Sequence, residues 1–252
     1  MKNSFDYSLF VCLAKGEDDK THDYDRGAIV DAARAFARSS HKCVYVVDFY
    51  EWSVLFASNN FVRLLGRPAE ALAGRGCGIL LDHILEKERA TVIDQHRLAM
   101  EFLDSVPIEE RSGYVFHCDF HVVKDGRRYL VHHTATPFHS SVGGHVEAAL
   151  CTVAPSSESE AGSFYIMEEG GEWSYEYSCR RHSWERKKVA PLSDMEREVL
   201  WLSLQGHAMA EIALRIFRSL DSVKMYKRIL FGRLKVKSVV QAVAHAFNSR
   251  LF

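Results

Sequence analysis

The last 62 residues of the chain, Pro191 to Phe252, most strongly constrain how it folds. Ser193 and Glu196 form an S-x-x-E pattern, in which the serine side chain caps a helix and the acidic side chain accepts a hydrogen bond from the backbone N–H of the serine. Ser238 and Gln241 form a second pattern of this kind, S-x-x-Q, near the end of the segment. Apolar residues recur at helical spacing between and after these two patterns. The segment is therefore predicted to be a small all-α domain of four helices.

The two middle helices of this domain are predicted to follow each other across a tight turn. The second runs from about Leu220 to Leu234, where Val223, Leu230 and Leu234 share one face. We expect that face to pack on Ile212 and Ile216 of the preceding helix. This arrangement leaves cations on the free face, as in helices that enter the major groove of DNA. The side chains predicted to contact DNA are Ser222, Lys224, Met225, Lys227 and Arg228.

The charge of the chain is divided unevenly along its length. The net formal charge is −1, but residues 191–252 contain ten Lys or Arg against five Asp or Glu. This segment carries +5, and the rest of the chain carries −6. A basic small domain attached to a larger acidic one favours binding of nucleic acid by one end only.

The C-terminal motifs resemble the LuxR-type helix-turn-helix family over the whole 62-residue segment. The matching elements are L-S-x-x-E-R-E-V-L, G-x-x-x-x-E-I-A, S-x-x-S-V-K, R-L-K-V and Q-A-V. The resemblance implies binding to double-stranded DNA and points to Lys224 as a contact residue. Tyr226 replaces a frequent histidine, and Lys227 replaces a residue that is apolar in many members; Lys227 either contacts phosphate or loosens the helix. Region 4 of sigma factors is the nearest rival, but the fourth helix favours the LuxR type.

The region upstream alternates helical and strand-like patterns. An amphipathic helix is predicted over Arg26–Arg38, followed by two short strands, small helical turns and a longer helix over roughly Leu85–Leu103. Three strands follow, and the first two are joined by Asp125-Gly126, a strong hairpin signal. This order predicts a five-stranded antiparallel sheet with helices on one side.

That arrangement, together with the stretch N-N-F-V-R-L-L-G-R-P-A-E-A-L-A-G-R, resembles a PAS domain. The predicted fold class is therefore α+β, with a PAS-like sheet followed by an all-α LuxR-type domain. We divide the chain into an N-terminal segment (1–24), a PAS-like sensor (25–155), an added β-hairpin with a basic connector (156–190) and the DNA-binding domain (191–252).

Motifs for cofactor or catalytic chemistry are weak. His117, His121, His132 and His133 lie on strand-like segments without partners at ligand spacing, so no metal or haem is predicted. The G-R-G-C-G run around Cys77 faintly resembles the photoactive-cysteine motif of flavin-binding LOV domains, but the flanking Asn, Arg and Gln are missing. A receiver domain is not predicted, because no Asp-containing strand end is followed by a Met-Pro turn and no Lys-Pro closes a last strand. No hydrolase, metalloprotease or nucleotide-binding motif occurs either. We therefore predict no catalytic residues and no cofactor.

The sequence is interpreted as a bacterial-type, cytoplasmic transcription regulator whose sensor responds to a small ligand or a protein partner. It contains no apolar run of membrane-spanning length and no clear signal peptide, and its six cysteines are isolated. A homodimer is expected through an exposed stripe on the last helix formed by Val239, Val243 and Ala246. The alternative is an interaction module whose basic bundle docks a protein such as RNA polymerase.

Overall fold

The computed structural model describes residues 24–49, 51, 53–66, 77–140, 146–170, 172–178, 180–189 and 191–248. The N-terminal part contains α1 (Arg26–Ser40), β1 (Cys43–Asp48), β2 (Ser53–Ala57), α2 (Asn59–Leu65), α3 (Glu86–Asp104), β3 (Tyr114–Lys124), β4 (Arg127–Ser140), β5 (Val146–Pro155), β6 (Phe164–Glu168), β7 (Trp173–Ser178) and β8 (Ser183–Lys188). The C-terminal part contains α4 (Asp194–Leu204), α5 (Met209–Arg215), α6 (Leu220–Leu234) and α7 (Val239–Asn248). Among these residues, no helix combines the length and apolar character needed to cross a membrane.

The described strands form one antiparallel sheet in the order β2-β1-β5-β4-β3-β6-β7-β8. Strands β1 to β5 and the helices around them give the PAS-like arrangement that the sequence predicts. The sheet has eight strands rather than five, because the predicted hairpin, β6 and β7, pairs with β3 and a further strand follows it. The segment predicted as a basic connector contains this last strand, β8.

Aromatic packing explains why the basic segment forms a strand. Trp184 of β8 lies 5.2 Å from Phe102 of α3, measured between ring centroids, and Tyr175 of β7 lies 4.9 Å from Phe102. The guanidinium of Arg186 stacks 4.1 Å from the centroid of Trp173, so a cation of β8 covers an aromatic ring instead of facing only water. Helix α3 therefore covers both the PAS-like sheet and its extension.

The β3–β4 hairpin sets the orientation of the polar residues in the sheet. Asp125 and Gly126 adopt φ values of 49° and 72°, a left-handed pair that suits a two-residue hairpin turn, as the sequence predicts. The resulting register places His133 opposite Cys118, and His132 opposite Asp119. Because successive side chains point to opposite faces of a strand, the two neighbouring histidines lie on different faces of the sheet.

Helix α1 packs beside the first two strands and is tied to them by a buried carboxylate. Asp48 of β1 is fully buried and accepts hydrogen bonds of 2.8 Å from Arg26 and from the hydroxyl of Tyr24. Ala33 is the buried residue of this helix, whereas Phe36, which the helical pattern places on the apolar face, is exposed. The predicted helix is thus confirmed, with its buried stripe narrower than expected.

The C-terminal part has two small apolar clusters, which corrects two expectations. Val223 packs with Ile212 as predicted, but Leu230 and Leu234 pack instead with residues of α4 and α7. Ala246, expected in an exposed stripe, is fully buried in that second cluster. The helix folds back onto the bundle, and small residues are what allow this close approach.

Glu196 joins the beginning of this bundle to the end of α6. Its carboxylate, only 4 % exposed, accepts hydrogen bonds from the backbone N–H and hydroxyl of Ser193, which completes the predicted capping box. It also pairs with Arg233 at 2.9 Å, and the same guanidinium donates to the carbonyl of Pro191 at 2.6 Å. A buried acid is thereby fully compensated.

Replacing Arg233 with alanine is expected to lower the free energy of unfolding of the C-terminal domain by about 2–3 kcal/mol, because a buried carboxylate loses its charged partner. The matched control is Arg197→Ala, which removes an exposed arginine that pairs with Asp194 across one helical turn; it should cost less than about 1 kcal/mol. Calorimetric unfolding of the full chain measures both values. Equal effects of the two substitutions would contradict this role for Arg233.

Candidate DNA interface and sensor cavity

The turn between α5 and α6 orients the second helix of the helix-turn-helix unit. Phe217 has a left-handed φ of 53°, and the N–H of Arg218 donates to the carbonyl of Ala213 at 3.0 Å. This is the usual geometry of a helix C-terminus, although glycine is the common residue at the left-handed position. Ser219 then caps α6 by accepting a 3.1 Å hydrogen bond from the N–H of Ser222.

Three of the five predicted contact residues lie on the free face of α6. Val223, Leu230 and Leu234 are buried, which fixes the rotation of the helix about its axis. Lys224, Met225 and Arg228 are exposed, with Lys224 and Arg228 one turn apart. This face presents two cations and one flexible apolar side chain outside the bundle.

The other two predicted residues lie at the edges of this face. Ser222 is half-buried, and its hydroxyl lies 2.9 Å from that of Ser219, so it takes part in the helix cap. Lys227 is half-buried beside the packed face, and burial lowers the pKa of its amine. These two side chains are therefore less available to a partner than Lys224 and Arg228.

Neighbouring charged residues also belong to this surface and were missed in the sequence. Lys224 donates to the carboxylate of Asp221 at 3.0 Å, an exposed pair that a phosphate or base could displace at little cost. Arg215 and Arg218 are exposed at the turn that precedes α6. The basic charge of the segment indicated that further cations could contribute to this surface. Only the turn geometry shows that Arg215 and Arg218 lie next to α6.

The PAS-like part contains two neighbouring cavities between the sheet and α3, each with a volume of about 50 Å³. Both are lined by Phe49, His96 and Ala135. The first also involves Tyr45, Val47, Leu80, Leu81, Ile84, Val92 and Cys151. The second also involves Gln95, Ala99, Met100, Leu103, Phe116, Cys118, His133, Pro137, Val146, Ala149 and Phe164. Mostly apolar walls with a few polar groups are typical of sites for small molecules.

The histidines of these cavities are held neutral. Burial lowers the pKa of His96, whose Nδ1–H donates to the carbonyl of Val92 at 2.8 Å. Burial also lowers the pKa of His133 well below its usual value, and nearby His96 and His132 act in the same direction. The Nε2 atom of His133 lies 2.7 Å from the hydroxyl of Tyr45. The cavities therefore offer hydrogen-bonding groups without charge.

A comparison with known protein families identifies the C-terminal helices. Residues 190–246 match the family described as bacterial regulatory proteins, luxR family. These residues form a LuxR-type helix-turn-helix domain. The chain thus combines a PAS-like domain with a LuxR-type DNA-binding domain. A comparison with curated protein sequences finds no significant match.

Several solved structures are similar to parts of this chain. The VqmA dimer of Vibrio cholerae is 18% identical, with 85% of this chain and 86% of that chain covered and a TM-score of 0.32. The PAS domain of Bordetella pertussis BvgS is 15% identical over 52% of this chain and 88% of that one, with a TM-score of 0.34. The PAS/PAC sensor domain of a Marinobacter aquaeolei diguanylate cyclase is 11% identical over 45% and 94% of the two chains, with a TM-score of 0.36.

The histidines considered as metal ligands are divided among different surroundings. His117 lies 3.0 Å from His132, which in turn lies 3.1 Å from Asp119, whereas His121 pairs with Glu88 of α3. Within the described residues, no three His, Cys, Asp or Glu side chains are grouped to hold a metal ion. Most of the glycine-rich run before Cys77, together with the side chain of Cys77, lies outside the described residues.

Substituting single cations of α6 in the LuxR-type domain tests the interface. Lys224→Ala should cost about 1–3 kcal/mol of affinity for a selected operator if its side chain contacts a base edge. If the half-buried Lys227 reaches a phosphate, Lys227→Ala should weaken binding to all sequences alike and reduce the salt slope by about one unit; an unchanged slope would show that its burial keeps it from DNA. Gel-shift titrations at several salt concentrations measure both effects. Unchanged affinity in both variants would rule out α6 as the recognition helix.

Proposed function

We propose that this protein regulates transcription by placing α6 in the major groove of duplex DNA, under the control of its PAS-like domain. The observation that carries the proposal is the free face of α6, on which Lys224 and Arg228 project from a LuxR-type helix-turn-helix domain. Lysine and arginine at such positions hydrogen-bond guanine edges or phosphates. Arg215 and Arg218 extend the basic surface toward the DNA backbone.

The sensor cavities support control by a small molecule. They lie between the β-sheet and α3, the helix that also packs on β6 to β8, so a bound molecule would bear on both parts of the sheet. A protein partner remains the second candidate signal, and a cytoplasmic location is part of the proposal because the target is DNA.

We propose a homodimer formed through a different face of α7 from the one predicted in the sequence. Val240 and Phe247, which are 78 % and 58 % exposed, lie seven residues apart and therefore share one side of the helix. Ala242 and Ala246 are fully buried on the opposite side. An apolar side left in water on so small a domain is best explained by a second copy.

The charge-bearing substitution Val240→Glu should weaken self-association and, with it, the recognition of paired half-sites. Selection from random duplexes with the wild-type chain should enrich inverted repeats whose centres are about 10 base pairs apart. The Val240→Glu chain should lose this pairing, whereas Leu214→Glu, at a residue that is 77 % exposed on α5, should retain it. Sedimentation measures the association state. A wild-type chain that is monomeric both free and on DNA would contradict the dimer.

Control of the DNA-binding domain is proposed to act through a contact between α7 and the loop after β5. Nδ1 of His245 lies 3.8 Å from the carboxylate of Glu158, too far for a hydrogen bond but close enough for electrostatic attraction when both are charged. Glu158 is connected to the sheet, because its N–H donates to the hydroxyl of Ser156, which donates to Asp119. The loop thus joins the sensor sheet to the last helix.

The pKa values of both residues in this contact are shifted in the direction that favours the neutral form. Burial chiefly lowers the pKa of His245, and His132 and Lys235 add to this, while Asp119 opposes it. Burial raises the pKa of Glu158, with a further increase from Asp119. A histidine whose pKa is lowered by docking binds its proton more tightly once released. Protonation of His245 therefore favours release of α7, whereas protonation of Glu158, whose pKa is raised in the contact, favours docking.

At a pH low enough to protonate His245, Glu158→Gln should raise the DNA affinity of the ligand-free protein up to about fivefold, because it then removes an attraction worth up to about 1 kcal/mol at a partly exposed site. The matched control is Glu160→Gln, an exposed residue in the same loop that causes the same change in net charge. Fluorescence anisotropy with one DNA duplex at one salt concentration measures the DNA affinity of both variants. Equal gains in both variants would show a simple charge effect, and no gain in Glu158→Gln would also refute the contact.

The alternative function, docking to a protein such as RNA polymerase, has its own structural support. Leu214 and Phe217 are 77 % and 88 % exposed at the turn before α6 and present an apolar surface that duplex DNA does not need. Such a surface is compatible with DNA binding by the neighbouring helix.

A further inference from the structure

A basic pocket lies at the β2 edge of the PAS-like sheet. It is bounded by the second half of α1, by β2 and by α2, and its volume is about 440 Å³. Pockets that bind small molecules usually have volumes of about 300–1,000 Å³. None of its lining residues lines either cavity under α3. The polar and aromatic side chains that matter for a ligand are Arg34, Arg38, His41, Phe56, Asn59 and Arg63.

The charge of this pocket is opposite to that of the region that contains it. Three arginines line the pocket, and no Asp or Glu is among its lining residues in the described part of the chain. Residues 1–190 nevertheless carry a net charge of −6. A concave site lined by charges of one sign raises the local concentration of ligands of the opposite sign. The pocket is therefore suited to an anion.

Contacts within the protein do not explain these arginines. Arg38 and Arg63 are exposed, and neither side chain forms a hydrogen bond or an ion pair with another residue that the structure describes. Arg34 pairs with Asp31, an exposed residue of its own helix, at 2.6 Å. Arg34 and Arg38 are four residues apart on α1, a spacing at which like charges destabilise a helix. A bound anion would offset this repulsion.

The walls of the pocket are held in place without the two unpaired arginines. An ion pair with β1 fixes the first turn of α1 to the sheet. The amide of Asn60 in α2 donates to the carbonyl of His41, just after α1, at 2.8 Å. Arg38 and Arg63 thus reach one pocket from two separate helices, and both remain available to a ligand.

We propose that this pocket binds a small phosphorylated molecule, with the phosphate group between Arg38 and Arg63. A phosphate monoester carries a charge of about −1.5 to −2 at neutral pH and has three acceptor oxygens, so it matches two guanidinium groups better than one carboxylate does. Half-buried Phe56 offers an apolar wall to the rest of the molecule. This site is separate from the cavities under α3 and does not depend on their proposed role.

Two phosphates, one without and one with an apolar part, test the site. The full-length wild-type chain should bind inorganic phosphate saturably, and phenyl phosphate about fivefold more tightly, because a ring against Phe56 adds an aromatic contact. Arg38→Gln and Arg63→Gln should each weaken the binding of both probes about tenfold, the effect of losing one charge-assisted hydrogen bond. Isothermal titration calorimetry at low salt measures these affinities.

Arg181→Gln is the matched control for charge. It makes the same change in net charge in the turn between β7 and β8, at the opposite edge of the sheet, and should bind both probes as the wild type does. Binding of phosphate that is unchanged in Arg38→Gln and Arg63→Gln would overturn the site, as would a wild-type chain that binds no phosphate saturably. Equal affinity of the wild type for the two probes would overturn the contact with Phe56.

The backbone of DNA is the other source of phosphate groups, and a second measurement separates it from a small molecule. Arg63→Gln should retain the wild-type affinity for random duplex DNA. A loss of DNA affinity in this variant would assign the pocket to the DNA interface and overturn the small-molecule site. Failure of the phosphate site would leave DNA binding by α6 unaffected, because that proposal is tested with substitutions in α6.

Discussion

The pairing of β3 with β4 determines how the sensor distributes its polar groups. Cys118 faces His133 across this pair, and Asp119 faces His132. One set borders the cavities under α3, and the other leads through Ser156 to the loop that meets α7. A shift of one residue in this register would exchange the two sets, because side chains alternate between the faces of a strand. The left-handed turn at Asp125 and Gly126 keeps the register in place.

The DNA-binding domain depends on a comparable buried connection. Glu196 caps α4 and pairs with Arg233 near the end of α6, so the helix proposed to enter the groove is fixed at its C-terminal end. Its N-terminal end is fixed by the Ser219 cap and by Val223 against Ile212. Between these points, the rotation of α6 leaves Lys224 and Arg228 outward. The cations are thus positioned by the packing of residues that do not face DNA.

Local patterns in the sequence predicted most of the elements, because caps, turns and helical periodicity act over a few residues. The S-x-x-E box at Ser193, the Asp125-Gly126 hairpin and the free face with Lys224 are examples. Features that depend on distant partners were not predictable. The basic run after β7 forms a strand because Trp184 meets Phe102 and Arg186 meets Trp173, contacts that span long stretches of chain. The exposed side of α7 was misassigned because spacing alone cannot show which side packs.

DNA binding by the C-terminal domain is tested most directly by the salt dependence of wild-type binding to random duplex DNA. Release of counterions by several phosphate contacts should make the logarithm of the association constant fall steeply and linearly with the logarithm of salt concentration. A measurable affinity at low salt with such a slope is the expected result. No binding to duplex DNA at low salt, or binding that is indifferent to salt, would contradict the claim and favour docking of the basic bundle to a protein.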